Sequence, residues 1–167
     1  EPSGWDGKTS GMTGRPYLRI YSSSKENDGI TLKYPSILPD VFNNAPYHVG
    51  PVAANKEENI LFVTRTHPGE DAEKQRSGNY RFKKHNLELL IYTRSGDSWT
   101  EVAFPYNNVK SYSVGHAALS DDEQTLYFAS DMPGGKGGVD IWYCIRQADG
   151  SWGTPVNAGE EINSDGD

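Results

Sequence analysis

The chain has 167 residues, a net charge of -7 and 35% hydrophobic residues, with 18 glycines, 10 prolines and 11% aromatic residues. This length supports one domain with a core, and the many turn-forming and aromatic residues favour an all-β protein over a helical one. The acidic balance argues against a nucleic-acid partner, because phosphates require a basic surface, and no run of about 20 apolar residues predicts a membrane span.

The first 40 residues predict only part of a repeating strand unit. Residues 17–21 are predicted as the third strand of that unit and residues 29–34 as its fourth strand. No segment before them has the pattern of a first or second strand. We therefore expect residues 1–40 to form a partial blade.

An internal repeat is the clearest signal in the sequence. Three pairs lie 65 positions apart without a gap: Gly50 and Gly115, Leu61 and Leu126, and Phe62 and Tyr127. Downstream, residues 87–94 match residues 139–146, and a tight turn then precedes a tryptophan in each unit, Trp99 or Trp152. Each unit thus predicts four strands: a short one of small residues, two apolar ones and a last one after a hairpin turn.

This pattern predicts an all-β fold, specifically a β-propeller of four-stranded antiparallel blades. Small residues suit the crowded inner strand of a blade, and apolar second and third strands suit burial on both faces. The predicted blades are residues 41–105 and residues 106–157, and residues 158–167 lead into a further blade. Propellers close with roughly four to eight blades. We therefore expect an incomplete propeller fragment, completed by the remainder of its own polypeptide or by a second chain.

Twelve residues are predicted to carry the structure of the repeat rather than any chemistry. They are Gly50, Leu61, Phe62, Trp99, Gly115, Leu126, Tyr127, Asp131, Asp140, Trp142, Gly150 and Trp152. Asp131 and Asp140 bracket a glycine-rich loop and are expected to pin it, with Ca²⁺ binding as the alternative. Cys144 lies in an apolar run and is expected to be a buried, unreactive thiol. His116 opens an inner strand and is expected to make hydrogen bonds between blades.

The first complete unit carries a long insertion at residues 66–86, where the second has only a short glycine-rich loop. Loops on a rigid scaffold usually carry binding, and arginine and aromatic residues are enriched at interface hot spots. Two interpretations stay open, a partner-binding loop and a disordered excursion. The candidate partner-binding residues are His67, Arg76, Tyr80, Arg81, Phe82 and His85.

Patterns for catalysis and metal binding are weak. The four histidines lack the short spacing of a zinc site, although His67 and His85 do bracket Glu70, Asp71 and Glu73. The acidic residues 57–58 and 121–123 occupy equivalent turns, whereas a glycosidase needs two carboxylates facing each other across a cleft. Neither a serine-nucleophile elbow nor a phosphate loop is present. We therefore predict no catalytic residue, no metal site and no cofactor.

The stretch 119–131, followed by Gly134-Gly135, Gly137-Gly138, residues 140–142 and residues 150–152, resembles the WD40-like, TolB-like (PD40-type) propeller repeat of bacterial envelope proteins. In that family a Ser-Pro-Asp-Gly turn stands where this chain has residues 120–123. The resemblance covers residues 43–163 and is most specific over residues 115–163. The glycine-rich form is similar to the group linked to OmpA-like domains and to type IX secretion and gliding components.

The resemblance implies a non-catalytic scaffold that binds other envelope proteins, located in the periplasm or at the outer membrane. Fold alone does not determine function, so two alternatives from other classes stay open. One is a glycan- or peptidoglycan-binding module that uses exposed tyrosine and tryptophan rings. The other is the propeller part of a glycosidase or peptidase.

Overall fold

The computed structural model describes residues 9–11, 13–69 and 73–166. Over this range the protein is built from antiparallel sheets with one short helix, which confirms the predicted all-β class. The elements are β1 Tyr21–Ser22, β2 Ser36–Ile37, α1 Asp40–Asn43, β3 Val49–Ala54, β4 Ile60–Thr66, β5 Glu73–Ser77, β6 Tyr80–Lys84, β7 Leu87–Ser95, β8 Ser98–Ala103, β9 Val114–Leu119, β10 Thr125–Ser130, β11 Asp140–Ile145 and β12 Val156–Asn157. None of the described helices is long and apolar enough to cross a membrane.

Two four-stranded sheets form the body of the molecule. The first sheet has the order β3-β4-β7-β8, and the second has the equivalent order β9-β10-β11-β12. Their central strands share one register, since Phe62 pairs with Ile91 in the first sheet and Tyr127 pairs with Tyr143 in the second. Both pairs follow the sequence repeat, which therefore corresponds to a repeat of backbone structure.

The acidic turns between the first two strands of each sheet have the same conformation. Glu58 and Glu123 occupy equivalent positions and have positive φ angles of 53° and 59°. The N–H of Glu58 donates to the carbonyl of Asn55, and the N–H of Glu123 donates to that of Ser120. In the second turn the Ser120 hydroxyl donates to Asp122 and holds the pKa of that exposed carboxyl below its usual value. These carboxylates therefore shape turns, as the sequence predicts.

Two apolar clusters cover opposite faces of the first sheet. One lies between the two sheets and the other lies between the first sheet and the N-terminal segment. The members of the cluster between the sheets are Phe62, Leu89, Phe104, Val114, Leu126, Phe128, Trp142 and Cys144. The members of the N-terminal cluster are Ile20, Phe42, Ala45, Val49, Val63, Leu90 and Tyr92. The first sheet is therefore buried on both faces, as its apolar strands predict.

The second sheet is buried on one face only. Leu126 and Cys144 are fully buried against the first sheet. On the opposite face Tyr127 is 42% exposed, Ile141 38% and Ile145 46%. Within the described residues no element packs on this outer face, so the burial expected between neighbouring blades is seen on one face of this sheet only.

Gly115 lets the two sheets approach each other closely. A Cβ atom at this position would lie 2.6 Å from Cγ2 of Thr64 in the first sheet. The next residue, His116, donates its backbone N–H to Thr64 Oγ1 over 2.8 Å. The inter-sheet hydrogen bond predicted for His116 therefore comes from its backbone, whereas its side chain is exposed.

Replacing Gly115 by alanine is expected to reduce the free energy of unfolding by about 1–3 kcal/mol through overpacking. The double variant G115A/T64S is expected to recover most of that loss, because serine removes Cγ2 and keeps the accepting hydroxyl oxygen. Urea titrations followed by tryptophan fluorescence measure both effects. If T64S brings no recovery in the G115A background, the proposed contact does not limit the approach of the sheets.

An asparagine clamp occurs three times among the described residues. The Asn107 side chain accepts a hydrogen bond from the backbone N–H of Leu89 and donates one to its carbonyl, over 3.0 and 2.8 Å. Asn43 makes the same pair of bonds to Ile20, and Asn163 makes it to Ile141. Ile20 thus corresponds to a residue of a third strand, but the strand itself is β1, so Tyr21 alone of the predicted residues 17–21 lies in it.

Two predicted strand positions are wrong. The fourth strand of the N-terminal segment is β2, at 36–37, and of the predicted residues 29–34 only Leu32 pairs with the preceding segment, through an isolated antiparallel bridge to Lys25. Trp152 was expected to open the last strand of the second sheet, but it makes only an isolated bridge with Arg146, and β12 follows Pro155.

Burial between the sheets raises the pKa of Cys144 from 9.0 to about 12. The thiol is therefore protonated in the folded protein at pH 8.5. This agrees with the buried, unreactive thiol that the sequence predicts. We expect the folded chain to react with a disulfide reagent on the order of a thousandfold more slowly than the urea-unfolded chain, because only the thiolate reacts. Comparable rates in the two states would show that this thiol is accessible.

Candidate functional site at the inserted hairpin

The insertion at residues 66–86 contains a two-stranded antiparallel sheet, β5-β6. Arg76 pairs with Arg81 and Ser77 pairs with Tyr80 across the turn at Gly78, whose φ angle is 59°. A glycine with positive φ suits such a two-residue hairpin turn. Neither sequence interpretation, a loop or a disordered excursion, included this hairpin. The dipeptide Gly78-Asn79 between polar and aromatic residues is the signal that identifies it.

The hairpin leaves the first sheet as an extension of the β4–β7 ladder. Thr66 pairs with Leu87, and the backbone N–H of His67 then donates to the carbonyl of Asn86 over 3.0 Å. The His85 Nδ1 atom lies 2.9 Å from the carbonyl oxygen of His67. The structure therefore brings His67 and His85 together at the base of the hairpin.

A buried carboxylate anchors this base. Glu88 is buried at the start of β7, and its two carboxylate oxygens lie 2.6 Å from Arg65 Nε and 3.0 Å from His67 Nδ1. Arg65 also lies 3.6 Å from a carboxylate oxygen of Glu101. A buried acid is tolerated when it is paired and hydrogen bonded, so Glu88 serves to hold the two strands from which the hairpin emerges.

The neighbouring phenol of Tyr92 belongs to the same network. Its hydroxyl lies 2.6 Å from Glu101 Oε2 and 3.1 Å from the carbonyl of Val41. Burial, together with Glu101, raises the pKa of Tyr92 well above its usual value. The phenol therefore stays protonated at neutral pH and donates a hydrogen bond, with no role as a base.

Aromatic rings connect the hairpin base to the N-terminal segment. The ring of Tyr47 lies 4.7 Å from that of His85, and Tyr17 lies 5.8 Å from Tyr47 and 4.9 Å from His48. His48 Nδ1 accepts the backbone N–H of Leu18 over 3.0 Å. Sequence reasoning did not include Tyr17, Tyr47 or His48 in the site, because they are distant in sequence from the insertion.

The remaining candidate binding residues lie along the hairpin itself. Arg76 and Arg81 are exposed and directly opposite each other. Tyr80 and Phe82 lie on β6, and their side chains fall outside the described part of the structure. Glu70 and Asp71, which the metal hypothesis combined with His67 and His85, also fall outside it. Across the described residues, no three or more histidine, cysteine, aspartate or glutamate side chains are arranged to hold a metal ion.

The equivalent position of the second sheet is built differently. Asp140 corresponds to Glu88, and its carboxylate accepts hydrogen bonds from the Lys136 backbone N–H and, over 3.0 Å, from the Asn157 side chain. Asp140 thus pins the glycine-rich loop, as predicted. Asp131 instead accepts the backbone N–H of Ser113 over 2.6 Å, so it ties β9 to the end of β10.

A cavity of about 390 Å³ opens between the two sheets at the end opposite the hairpin. Its walls include Phe62 and Ile91 from the first sheet and Trp152 and Arg146 from the second. The Trp152 and Phe62 rings lie 6.0 Å apart, and the Arg146 guanidinium lies 5.9 Å from the Trp152 ring. This is the size of a small-molecule site, and its lining combines apolar and polar groups.

Comparison with known proteins returned no match. No family model, no curated protein and no solved structure is significantly similar to this chain.

Proposed function

We propose that this chain is part of a β-propeller and acts as a non-catalytic scaffold that binds other proteins of the bacterial cell envelope. The observation that carries the proposal is the uncovered apolar face of the second sheet. This face is equivalent, position by position, to the face of the first sheet that packs against the second.

The equivalence follows from the shared register. Phe62 and Leu89 of the first sheet belong to the cluster between the sheets. Their counterparts in the second sheet are Tyr127 and Ile141, and both are exposed. A large exposed apolar patch is typical of an association surface. A further four-stranded blade, stacked as the second sheet stacks on the first, covers this face in the proposed propeller.

The N-terminal segment supports the same arrangement from the other side. Its clamped residue, Ile20, packs with Phe42 and Val63 on the opposite face of the first sheet. Three repeats of the clamp in one chain indicate three consecutive units of one architecture. Units that bury their apolar faces only by stacking are the defining feature of repeat folds.

The inserted hairpin is the proposed partner-binding arm of this scaffold. The hairpin projects from the β4–β7 ladder, which is anchored by the ion pair of the buried Glu88 with Arg65. This anchored base presents the exposed hairpin. Binding is usually located on such connections. The location in the periplasm or at the outer membrane, and the association with secretion or peptidoglycan-linked complexes, rest on the resemblance of residues 115–163 to the envelope repeat.

The test is a pull-down from envelope extract of the source organism, with the wild-type chain and a variant in which residues 68–85 are replaced by a two-residue glycine linker. We expect mass spectrometry to recover envelope proteins with the wild type and to lose them with the variant. The matched control is K25Q/K33Q, which alters an exposed hairpin elsewhere. Recovery of no specific protein by the wild type would contradict the scaffold function.

The cavity between the sheets favours a second candidate function, the binding of a glycan. A tryptophan ring beside polar side chains is an arrangement that can stack a sugar and hydrogen bond its hydroxyl groups. Under this alternative, a glycan array gives hits with the wild-type chain that are lost in W152A and kept in W99A. An array without hits would exclude the candidate.

A further inference from the structure

One face of the inserted hairpin consists of four basic residues. Directly opposed residues of an antiparallel pair share a face, as do residues two apart on one strand. Lys74 is opposite Lys83, and Arg76 is opposite Arg81. The four cations therefore form a rectangle with sides of about 5 Å across the strands and about 7 Å along them.

This arrangement is unfavourable for an isolated hairpin, because like charges directly opposite each other destabilise a strand pair. The four side chains are exposed. Arg76 donates from Nε to the carbonyl of Gly78 over 2.9 Å. Within the part of the chain that the structure describes, none of the four cations forms an ion pair. The repulsion is relieved when an anionic group binds this face.

The charge of the hairpin is opposite to that of the rest of the chain. The whole chain carries -7 and the hairpin, residues 73–84, carries +4, so the remaining residues carry -11. An extended polyanion such as a membrane surface or a nucleic acid meets those other residues too and is repelled by them. Charges act over a Debye length of about 8 Å at physiological ionic strength. A short acidic segment can lie within one Debye length of the hairpin without coming as close to the acidic remainder of the chain.

The hairpin also has strand edges that can accept a partner. In the described structure β5 and β6 pair only with each other, so each strand has an outer edge without a ladder partner. An added strand makes backbone hydrogen bonds along such an edge, and its alternate side chains then meet one face of the sheet. Carboxylates at every second position of the added strand match the spacing of Lys74 and Arg76, or of Arg81 and Lys83.

We propose that the hairpin formed by β5 and β6 binds an extended acidic segment of a partner protein, with aspartate or glutamate at alternate positions, as an additional strand. This inference rests on the proposed scaffold function and specifies the chemistry of its partner. The carboxylates of the segment pair with the four cations, and the backbone of the segment extends the two-stranded sheet.

The test uses two synthetic peptides of the same composition with the full chain. One is Thr-Asp-Val-Asp-Thr-Asp-Val, with alternating carboxylates, and the other is Thr-Val-Asp-Asp-Asp-Thr-Val, with the carboxylates together. We expect the alternating peptide to bind about tenfold more tightly than the clustered one, and R76Q/R81Q to weaken its binding by about tenfold. K25Q/K33Q removes the same charge elsewhere and is expected to change the affinity less than about twofold.

Hydrogen exchange separates loss of binding from loss of folding. Removing the opposed arginines is expected to increase the protection of the β5 and β6 amides in the free protein, because like-charge repulsion is removed. In the wild type, the alternating peptide is expected to protect amides on one outer edge of the hairpin. Equal affinities for the two peptides, or binding without edge protection, would overturn the added-strand mode.

Two further probes test whether a different class of ligand binds the basic face of the hairpin. Tighter binding to phosphatidylglycerol vesicles or to single-stranded DNA than to the alternating peptide would overturn the proposal in favour of an extended polyanion. If the wild-type chain captures envelope proteins and R76Q/R81Q captures them equally well, the scaffold function stands and the acidic-strand inference falls. If the peptide binds as expected and no envelope protein is captured, the acidic-strand inference stands and the scaffold function falls.

Discussion

The variant L126D is expected to be largely unfolded in buffer without denaturant. Leu126 is fully buried between the two sheets, where it packs with Phe128 and Trp142. Loss of a buried leucine alone costs about 2–5 kcal/mol, and a buried unpaired carboxylate adds further cost. Since whole domains are stable by only about 5–15 kcal/mol, the change removes most of the available stability. Far-UV circular dichroism during urea titration measures it.

The neighbouring residue provides the matched control. Tyr127 lies on the same strand but on the uncovered face, where it is 42% exposed. We expect Y127D to lower the stability of this chain by less than about 1.5 kcal/mol, because its carboxylate stays in water. Equal effects of L126D and Y127D would show that the two faces of the second sheet do not differ as described.

The variant N107L is expected to lower the free energy of unfolding by about 1–3 kcal/mol, because it leaves the buried N–H of Leu89 without a partner, whereas the carbonyl of Leu89 keeps its bond from the Phe104 N–H. The Asn107 side chain satisfies the N–H and the carbonyl of that residue, whose side chain is fully buried in the centre of the first sheet. N107D keeps the acceptor but loses the donor, so an intermediate loss is expected. Chemical denaturation of the three proteins gives the order.

The control for the clamp is N108L. Asn108 is exposed, and its side chain makes no hydrogen bond to any residue that the structure describes, whereas its backbone carbonyl accepts bonds within the same turn. We expect N108L to change stability by less than about 0.5 kcal/mol. A loss in N107L no greater than that in N108L would remove the clamp as a source of stability.

Several features of this fold were predictable from local patterns in the sequence. The apolar runs around Leu61 and Leu126 mark central strands, and the acidic turns at 55–59 and 120–124 recur with the same backbone conformation. Side-chain period and turn chemistry act over a few residues, so they are readable without a structure. The pairing of strands that are joined by short turns, β3 with β4, β7 with β8 and β9 with β10, then follows from those turns, whereas β4 and β7 pair across the long insertion.

The function of the repeated asparagines was not predictable in this way. The positions of Asn43 and Asn107 match in the sequence, yet each clamp joins residues 18 to 23 positions apart. The Asn43 side chain also donates to the carbonyl of Leu38, directly after β2, so this clamp contacts the segment that completes the N-terminal unit. Propensity cannot distinguish two adjacent candidate strands when a distant side chain selects one of them.

The candidate site likewise has features that the sequence predicted and features that only the structure revealed. The composition of residues 66–86 identified the insertion as the most individual part of the chain, and Arg76 and Arg81 were named from residue type alone. Three features depend on strand register and on packing between distant segments: the two arginines are opposite each other, Glu88 and Arg65 anchor their base, and Tyr47 adjoins His85. Local sequence determines which residues can form a strand or a turn. Register and packing depend on long-range contacts, and those contacts decide which side chains meet.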